Sequence, residues 1–336
     1  MKRLALCHTP TPIWHNRALD ALLGFELWVK RDDMTSGAAG GNKIRKLEYL
    51  LADALARGAT TVITCGGLQS NHARATALLA RELGLAPVLF LRTNDPAAPP
   101  EPVGNLLLDR LVGADVRLIT PAQYRERDQL MAQAAAELQA RGRPAYVIPE
   151  GGSNGVGSFG YIEAIEELLD QQTAGALAGD LDVIAFACGS GGTAAGIALG
   201  LARFPSVAAR AAAFAVCDDR AYFETTVARI AAEAQALDAT LSAPDAARVL
   251  DIYDEFKGPA YGVPSSEQLD FIVKVARTSG LVLDPTYTGK ALFGLSRLSP
   301  QPRRALFVHT GGLPGLLAEG PLIAAACGGR AAESAG

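Results

Sequence analysis

The feature that most constrains the fold of this chain is a repeated alternation of short apolar segments with longer amphipathic ones. The short segments are rich in aliphatic and β-branched residues, which is typical of strands buried on both faces of a sheet. We predict such strands at 61–65, 87–91, 116–120, 146–149, 183–188, 212–217 and 305–309.

The segments between these strands carry apolar residues at helical spacing. In 44–55 the apolar residues stand at i, i+3 and i+7, and Gly58 follows as a stop signal. Further helices are predicted at 72–83, 121–141, 161–169 and 193–203, with a helical surface region at 231–247. Alternating strands and helices predict a largely parallel sheet covered on both faces, with ligands bound at the carboxyl ends of the strands.

Length, charge and cysteine spacing exclude several classes of protein. A chain of 336 residues favours two domains, and a formal net charge of −4 without basic blocks argues against a nucleic-acid partner. The five cysteines form no CxxC pair, so we expect no metal site and reduced thiols. Because no apolar run is long enough for a membrane span or signal peptide, we expect a soluble cytoplasmic protein.

The first candidate loop, 36–43, is rich in glycine and ends on Lys43 just before a predicted helix. Glycines let the backbone approach a flat ligand. The helix dipole disfavours the charged form of a lysine at this end, and Schiff-base chemistry requires a neutral amine. The alternative is a solvated surface lysine beside a flexible turn.

The second loop places Ser70 and Asn71 between a strand and a helix. There they offer a hydroxyl and an amide at the positive end of the helix. Simple capping of the helix is the alternative for both residues. His72, which follows them, is interpreted as a helix-start histidine rather than a catalytic base.

The third loop consists of Gly189, Ser190, Gly191, Gly192 and Thr193, directly after a predicted strand. Exposed amides, two hydroxyl groups and a helix dipole are suited to holding a phosphate. The loop is neither a GxGxxG dinucleotide fingerprint nor a Walker A loop. A tight turn that binds no phosphate is the alternative.

The fourth element joins Asp284-Pro285-Thr286-Tyr287-Thr288-Gly289-Lys290 with Thr310 after the last strand, and Tyr261 lies in a further glycine-containing loop. The two tyrosines can stack or donate hydrogen bonds, although each is equally suited to a half-buried core position. A lysine before a helix, a Ser-Asn cap and a phosphate loop together indicate one cofactor.

With these residues assembled, the chain resembles the D-cysteine desulfhydrase / 1-aminocyclopropane-1-carboxylate deaminase family of pyridoxal-phosphate enzymes. The resemblance runs from Thr11 to about Ala318. The motifs that carry it are KRDD at 30–33, GGNKIRKLEYL around Lys43, GGLQSNHAR around Ser70, GSGGT at 189–193, DPTYTGKAL around Tyr287 and HTGG at 309–312.

The resemblance implies roles for the candidate residues. Lys43 would bear pyridoxal 5'-phosphate as a Schiff base and move the substrate proton, and Asn71 would hold the ring hydroxyl. Residues 189–193 would hold the phosphate. Ser70 would contact the substrate carboxylate or carry a proton, while Tyr261 and Tyr287 would line the substrate pocket.

The resemblance also implies a fold and an assembly. The fold would be of the tryptophan-synthase-β type (fold type II), with two open, mostly parallel twisted sheets flanked by helices. Residues 1–43 and 155–336 would form the large domain, with a small domain of residues 44–154 inserted in it and the active site in the cleft between them. The family is usually homodimeric.

Two threonines separate the activities within this family. Members that open the cyclopropane ring typically carry glutamate and leucine where this chain has Thr288 and Thr310. A carboxylate keeps the ring nitrogen of the cofactor protonated and strengthens its electron withdrawal, whereas a threonine hydroxyl only shares a hydrogen bond. The threonine pair therefore favours β-elimination, most simply from D-cysteine to pyruvate, hydrogen sulfide and ammonia.

Several alternatives stay open at the sequence level. Within the family they are 1-aminocyclopropane-1-carboxylate deamination and cleavage of another β-substituted alanine such as L-cysteate, because Ala194 replaces a histidine common in desulfhydrases. Outside the family, a nicotinamide dehydrogenase would be expected to carry GxGxxG after an early strand. A protein that only binds the cofactor would be expected to lack Ser70 and Tyr287.

Overall fold

Two β-sheets organise the part of the chain that the computed structural model describes, residues 1–98, 100–177, 179–207 and 209–328. Their strands are β1 (Ile13–His15), β2 (Glu26–Lys30), β3 (Thr61–Gly67), β4 (Ala86–Arg92), β5 (Asp115–Ile119), β6 (Ala145–Val147), β7 (Val183–Cys188), β8 (Arg210–Ala215), β9 (Leu250–Tyr253) and β10 (Arg304–Val308). One sheet has the order β1-β2-β10-β7-β8-β9 and the other the order β5-β4-β3-β6. Every pairing is parallel except that of β1 with β2.

Helices connect nearly all of these strands. They are α1 (Arg17–Leu23), α2 (Lys43–Ala56), α3 (Asn71–Glu82), α4 (Gly104–Leu111), α5 (Pro121–Arg125), α6 (Arg127–Ala140), α7 (Gly155–Thr173), α8 (Gly192–Arg203), α9 (Arg220–Leu237), α10 (Ala243–Arg248), α11 (Ser266–Ser279), α12 (Thr288–Ser296), α13 (Leu313–Ala318) and α14 (Gly320–Gly328).

The six-stranded sheet is buried on both faces. Alternate residues of β7 enter opposite hydrophobic clusters, with Ile184 and Phe186 in one and Val183 and Ala185 in the other. Since side chains alternate across a strand, a strand with no polar face requires apolar helices on both sides. The predicted fold class, two mostly parallel sheets flanked by helices, is confirmed.

Each predicted strand is present, but some helix predictions were wrong in their bounds. The segment 121–141 divides into α5 and α6 at Glu126, and α7 begins at Gly155 rather than at Tyr161. The region 231–247 is not one helix, because α9 ends at Leu237 and α10 begins at Ala243.

A buried ionic cluster joins helix α2 to helix α7 and to the end of strand β2. The guanidinium of Arg45 donates to both carboxylate oxygens of Asp32, at 2.9 and 2.8 Å, and to Glu167 at 2.9 Å. Tyr161 donates to Asp32 at 2.7 Å, and Lys30 pairs with Glu167. The cluster fixes α2, whose first residue is Lys43, against α7 and the end of β2.

Within the described residues, no helix combines the length and the hydrophobicity that crossing a bilayer requires.

Candidate active site

A cavity of about 1090 Å³ opens between the carboxyl ends of the strands of the two sheets. This is where an open parallel sheet binds its ligand. Most of the predicted site residues line it, namely Lys43, Ser70, Asn71, Gly189, Ser190, Gly191, Thr193, Tyr261, Tyr287 and Thr310. Gly192 and Thr288 are buried and are not among the lining residues.

The loop before Lys43 is held in place from helix α3. Arg74 lies 2% exposed on α3 and donates hydrogen bonds to the carbonyl oxygens of Ala38 and, at 2.9 Å, Gly40. The backbone N–H of Asn42 donates to the carbonyl of Thr310 at 3.1 Å. The glycine-rich loop is therefore fixed to both sheet regions, so that Lys43 begins α2 at a defined point.

The environment of Lys43 favours its neutral amine. Burial lowers the pKa of Lys43 to about 8, although the nearby Asp284 acts in the opposite direction. Its Nζ donates to the side-chain oxygen of Asn42 at 3.0 Å and lies 5.9 Å from the ring centre of Tyr287. A larger neutral fraction near neutral pH makes the amine a better nucleophile and proton acceptor.

The loop at 189–193 has the geometry of an anion site. Gly191 adopts φ +80° immediately before α8, a conformation that other residues rarely adopt. Ser190 Oγ lies 2.8 Å from Ser153 Oγ, and Thr193 Oγ1 accepts a hydrogen bond from Asn42 at 3.2 Å. Hydroxyl groups and the positive end of α8 thus surround one end of the cavity.

The most informative residue that the sequence analysis missed is Lys46, one helical turn after Lys43. It is 1% exposed, and its Nζ donates to the carbonyl of Gly151 at 3.1 Å and lies 3.5 Å from Ser153 Oγ. Burial lowers the pKa of Lys46 well below its usual range, and the charge of Lys43 lowers it further.

Lys46 lacks the anion that a buried ammonium group needs. No carboxylate of a described residue lies within salt-bridge distance of Lys46. Its Nζ lies close to the 189–193 loop, because a β-carbon added at Gly192 would be 2.9 Å from that atom. Buried charges are normally paired. A phosphate at the 189–193 loop would supply that charge, so the residues present fit pyridoxal phosphate. The repeat of lysine at i and i+3 at the start of α2 was the available sequence signal.

We expect Lys46→Met to weaken binding of pyridoxal phosphate about 10- to 100-fold, because a charged hydrogen-bonding partner of the phosphate is lost. The free energy of unfolding of the cofactor-free protein should stay the same or rise, since a buried amine without an anionic partner is replaced by an apolar side chain. Absorbance titration with the cofactor and urea unfolding measure the two quantities. Unchanged affinity together with lower stability would make Lys46 a purely structural residue.

Ser70 and Asn71 both line the cavity, but only Ser70 caps α3, so simple capping is wrong for Asn71. Ser70 Oγ accepts the N–H of Ala73 at 3.1 Å and caps α3, yet the residue also lines the cavity. Asn71 is half-buried and accepts a hydrogen bond from Asn105 at 3.1 Å.

His72 is buried, with Nε2 2.9 Å from Thr64 Oγ1, and burial lowers its pKa well below the usual range. A neutral histidine that is hydrogen-bonded to a core threonine fits the prediction of a structural residue at the start of the helix rather than a catalytic base.

Tyr261 and Tyr287 form a pair at the cavity wall rather than separate core positions. Their hydroxyl oxygens are 2.5 Å apart, and their rings meet edge to face at 75°. Burial raises the pKa of Tyr261 to about 12 and that of Tyr287 well above its usual value, so both stay protonated. A β-carbon at Gly189 would lie 3.0 Å from the ring of Tyr287, which brings this pair next to the phosphate loop.

The loop that carries Tyr261 is fixed by Lys290, a second functional lysine that the sequence analysis did not assign. Lys290 is fully buried on α12, and its ammonium donates to the carbonyls of Lys257 and Ala260 at 2.5 and 2.8 Å. Since Tyr287 directly precedes α12, this lysine connects the two loops that carry the tyrosine pair.

The two threonines lie in different surroundings. Thr288 is fully buried, and its hydroxyl donates to Asp284 Oδ1 at 2.7 Å and accepts the N–H of Asp284 at 2.8 Å. Thr310 is 7% exposed and lines the cavity. Since the only hydroxyl hydrogen of Thr288 is used by Asp284, a contact between Thr288 and the ring nitrogen stays a prediction.

Comparison with known proteins agrees with this site. A profile of the pyridoxal-phosphate dependent enzyme family matches residues 4–311. A putative 1-aminocyclopropane-1-carboxylate deaminase of Thermotoga maritima is 41% identical over 318 residues, 94% of this chain and 98% of that protein. The bifunctional D-cysteine desulfhydrase/1-aminocyclopropane-1-carboxylate deaminase of Arabidopsis thaliana is 44% identical, over 93% of this chain and 78% of that protein.

The fold comparison points to the same group of proteins. The crystal structure of an ACC deaminase homologue has a TM-score of 0.85 at 35% identity, and the match covers 97% of this chain and 96% of that one. The resemblance, the fold type II class and the cofactor that the sequence implied are confirmed. The chain belongs to the family of pyridoxal-phosphate-dependent enzymes.

Proposed function

We propose that the protein is a carbon–sulfur lyase that converts D-cysteine to pyruvate, hydrogen sulfide and ammonia. The reaction breaks the Cα–H and Cβ–S bonds of the substrate. One water molecule is consumed when the remaining three-carbon enamine hydrolyses, so that all atoms are accounted for. No oxidant or reductant is required.

Pyridoxal phosphate, when bound, supplies an electron-withdrawing ring that stabilises the negative charge left at Cα after proton loss. Within this proposal Lys43 attaches it covalently. Lys46, Ser153 and the loop 189–193 hold its phosphate, and Asn71 holds its ring hydroxyl.

The chain's own residues move the protons. The amine of Lys43, with its pKa lowered to about 8, accepts the α-proton near neutral pH. Tyr261 and Tyr287 stay protonated, so their paired hydroxyls donate a hydrogen bond to the departing sulfur. Ser70, at the positive end of α3, binds the substrate carboxylate.

The observation that carries the choice of reaction is the pair of threonines at 288 and 310, where family members that open the cyclopropane ring typically carry glutamate and leucine. Thr288 leaves the ring nitrogen of the cofactor without the acidic partner that ring opening favours. Elimination of a good leaving group such as a thiolate needs weaker electron withdrawal. A thiol-bearing amino acid is therefore the preferred substrate in this proposal, and the name of the Arabidopsis relative supports D-cysteine in particular.

Two other activities each have one supporting observation. The name of the Thermotoga relative supports 1-aminocyclopropane-1-carboxylate deamination. Arg92 supports an acidic β-substituent such as that of L-cysteate. It lines the cavity 5.8 Å from the ring centre of Tyr261, and no described carboxylate lies within salt-bridge distance of it.

A panel of substrates distinguishes these activities. We expect the purified protein to release pyruvate from D-cysteine with a kcat/KM at least about tenfold higher than from L-cysteine, L-cysteate, D-serine or the cyclopropane amino acid, a difference of about 1.4 kcal/mol. A preference for the cyclopropane acid would contradict the threonine argument. A preference for L-cysteate would assign the acidic subsite to Arg92 instead.

The homodimer, the cytoplasmic location and the domain bounds at 43/44 and 154/155 belong to the same proposal. The homodimer rests on the family resemblance, and the cytoplasmic location rests on the reduced thiols expected from the cysteine spacing. The domain bounds are supported by the position of the four-stranded sheet within the chain.

A further inference from the structure

The side-chain amide of Asn71 has a fixed direction, because it ends a series of hydrogen bonds that starts on backbone groups. The amide nitrogen of Gln69 donates to the carbonyl of Val103 at 3.0 Å. The Gln69 amide oxygen therefore faces the opposite way, where it accepts the backbone N–H of Asn105 at 2.9 Å. A backbone carbonyl only accepts and a backbone N–H only donates, so these two contacts leave no freedom to exchange oxygen and nitrogen.

Asn105 passes this direction on to Asn71. Its Nδ2 donates to the backbone carbonyl of Gln69 at 3.0 Å, which identifies that atom as the nitrogen. The same Nδ2 donates to Asn71 Oδ1 at 3.1 Å. With its oxygen used by Asn105, Asn71 has only its NH2 group left for the cavity that it lines. Among the described residues, that NH2 group has no hydrogen-bond acceptor.

The position of Asn105 suits a residue that sets the orientation of another. It is fully buried at the start of α4, and its neighbour Leu106 packs in the hydrophobic cluster that contains Ala73 and Ala77 of α3. Asn105 does not line the cavity. Among the described side chains that line the cavity, Asn71 is the one that accepts a hydrogen bond from Asn105.

We propose that Asn105 is a positioning residue that turns the NH2 group of Asn71 toward the cleft, where it donates to the ring oxygen of pyridoxal phosphate. The inference rests on the cofactor contact assigned to Asn71 in the proposed function. A hydrogen-bond donor favours the negatively charged form of that ring oxygen, whereas an amide oxygen in the same place would repel it. The direction of one amide thus decides whether Asn71 strengthens or weakens cofactor binding.

A double-mutant cycle read out by cofactor affinity tests this inference. The dissociation constant of pyridoxal phosphate is measured by absorbance titration of the cofactor-free full chain for the wild type, Asn71→Leu, Asn105→Leu and the double variant. We expect each single variant to bind about tenfold more weakly, the loss of one hydrogen bond to a charged oxygen. The double variant should lie within about twofold of Asn71→Leu, because Asn105 acts only through Asn71.

A matched packing control is available on the same helix. Leu106→Ala should lower the melting temperature and leave the dissociation constant within about twofold of the wild type. If Asn105→Leu does not fold, Asn105→Ala takes its place in the cycle. Additive losses in the double variant would overturn the proposal, since Asn105 would then act on the fold rather than on Asn71.

The cycle also separates this inference from the proposed reaction. An unchanged affinity of Asn71→Leu would remove the cofactor contact and the role of Asn105 with it. Release of pyruvate and sulfide from D-cysteine by the wild type would be unaffected by that result. Conversely, a different preferred substrate would leave the affinity cycle valid.

Discussion

Replacement of Lys43 by alanine is expected to lower the rate of pyruvate formation from D-cysteine roughly a thousandfold or more, because the proton acceptor at Cα is lost. The variant should still bind pyridoxal phosphate without a covalent bond, since Lys46 and the loop 189–193 are intact. Borohydride reduction followed by peptide mass spectrometry should add the cofactor to the Lys43 peptide of the wild type alone. Steady-state kinetics and these masses measure the two effects.

The control for this variant is Lys274→Ala. Lys274 is exposed on α11 and does not line the cavity, so its loss should change neither the rate nor the labelled peptide. Labelling of a different lysine in the wild type, such as Lys46, would contradict the assignment of Lys43.

Replacement of Arg45 by methionine is expected to lower the free energy of unfolding by about 3–5 kcal/mol, the cost of leaving buried carboxylates without their cation. Arg45 is 3% exposed and is bonded to both Asp32 and Glu167. Burial alone would raise the pKa of Asp32, but the charge and hydrogen bonds of Arg45 hold it at about 2. Urea unfolding of the cofactor-free protein measures the loss.

The pH dependence of this loss has a defined sign. A carboxylate whose pKa is lowered on folding contributes stability above its unfolded pKa of about 4 and loses it as the pH falls toward the folded value. The difference in the free energy of unfolding between the wild type and Arg45→Met should therefore decrease as the pH falls from about 4 to about 2. Arg57→Ala, which removes an exposed pair with Asp53, should cost less than about 1 kcal/mol. An equal loss of unfolding free energy in the two variants would show that the buried cluster stabilises the fold no more than an exposed ion pair does.

The sequence predicts the buried strands well because their residues are apolar on both faces. It does not predict β2, in which Glu26, Trp28 and Lys30 alternate with apolar residues, or β9, a short strand at the sheet edge. The start of α7 was missed because its glycines suggest a loop. Only glycine fits at position 160, because a β-carbon there would collide with the backbone of Arg45 in α2.

The same contrast holds within the site. Lys43, Ser70 and the loop 189–193 are visible in the sequence because glycines and helix caps mark them locally. Asn105 and Lys290 act through hydrogen bonds to groups that are distant in sequence, so no local pattern identifies them. Lys46 is marked locally only by its i, i+3 spacing from Lys43, and its partner Gly151 is distant in sequence as well. Buried polar residues of this kind become interpretable only when their partners are known.

The most direct test of the central claim is the stoichiometry of products from D-cysteine with the purified protein saturated with pyridoxal phosphate. Pyruvate, sulfide and ammonia are measured in the same reaction, with Lys43→Ala beside it. We expect equal amounts of all three products from the wild type and none above background from the variant. Pyruvate without sulfide, or turnover of D-cysteine that yields L-cysteine and no pyruvate, would contradict it.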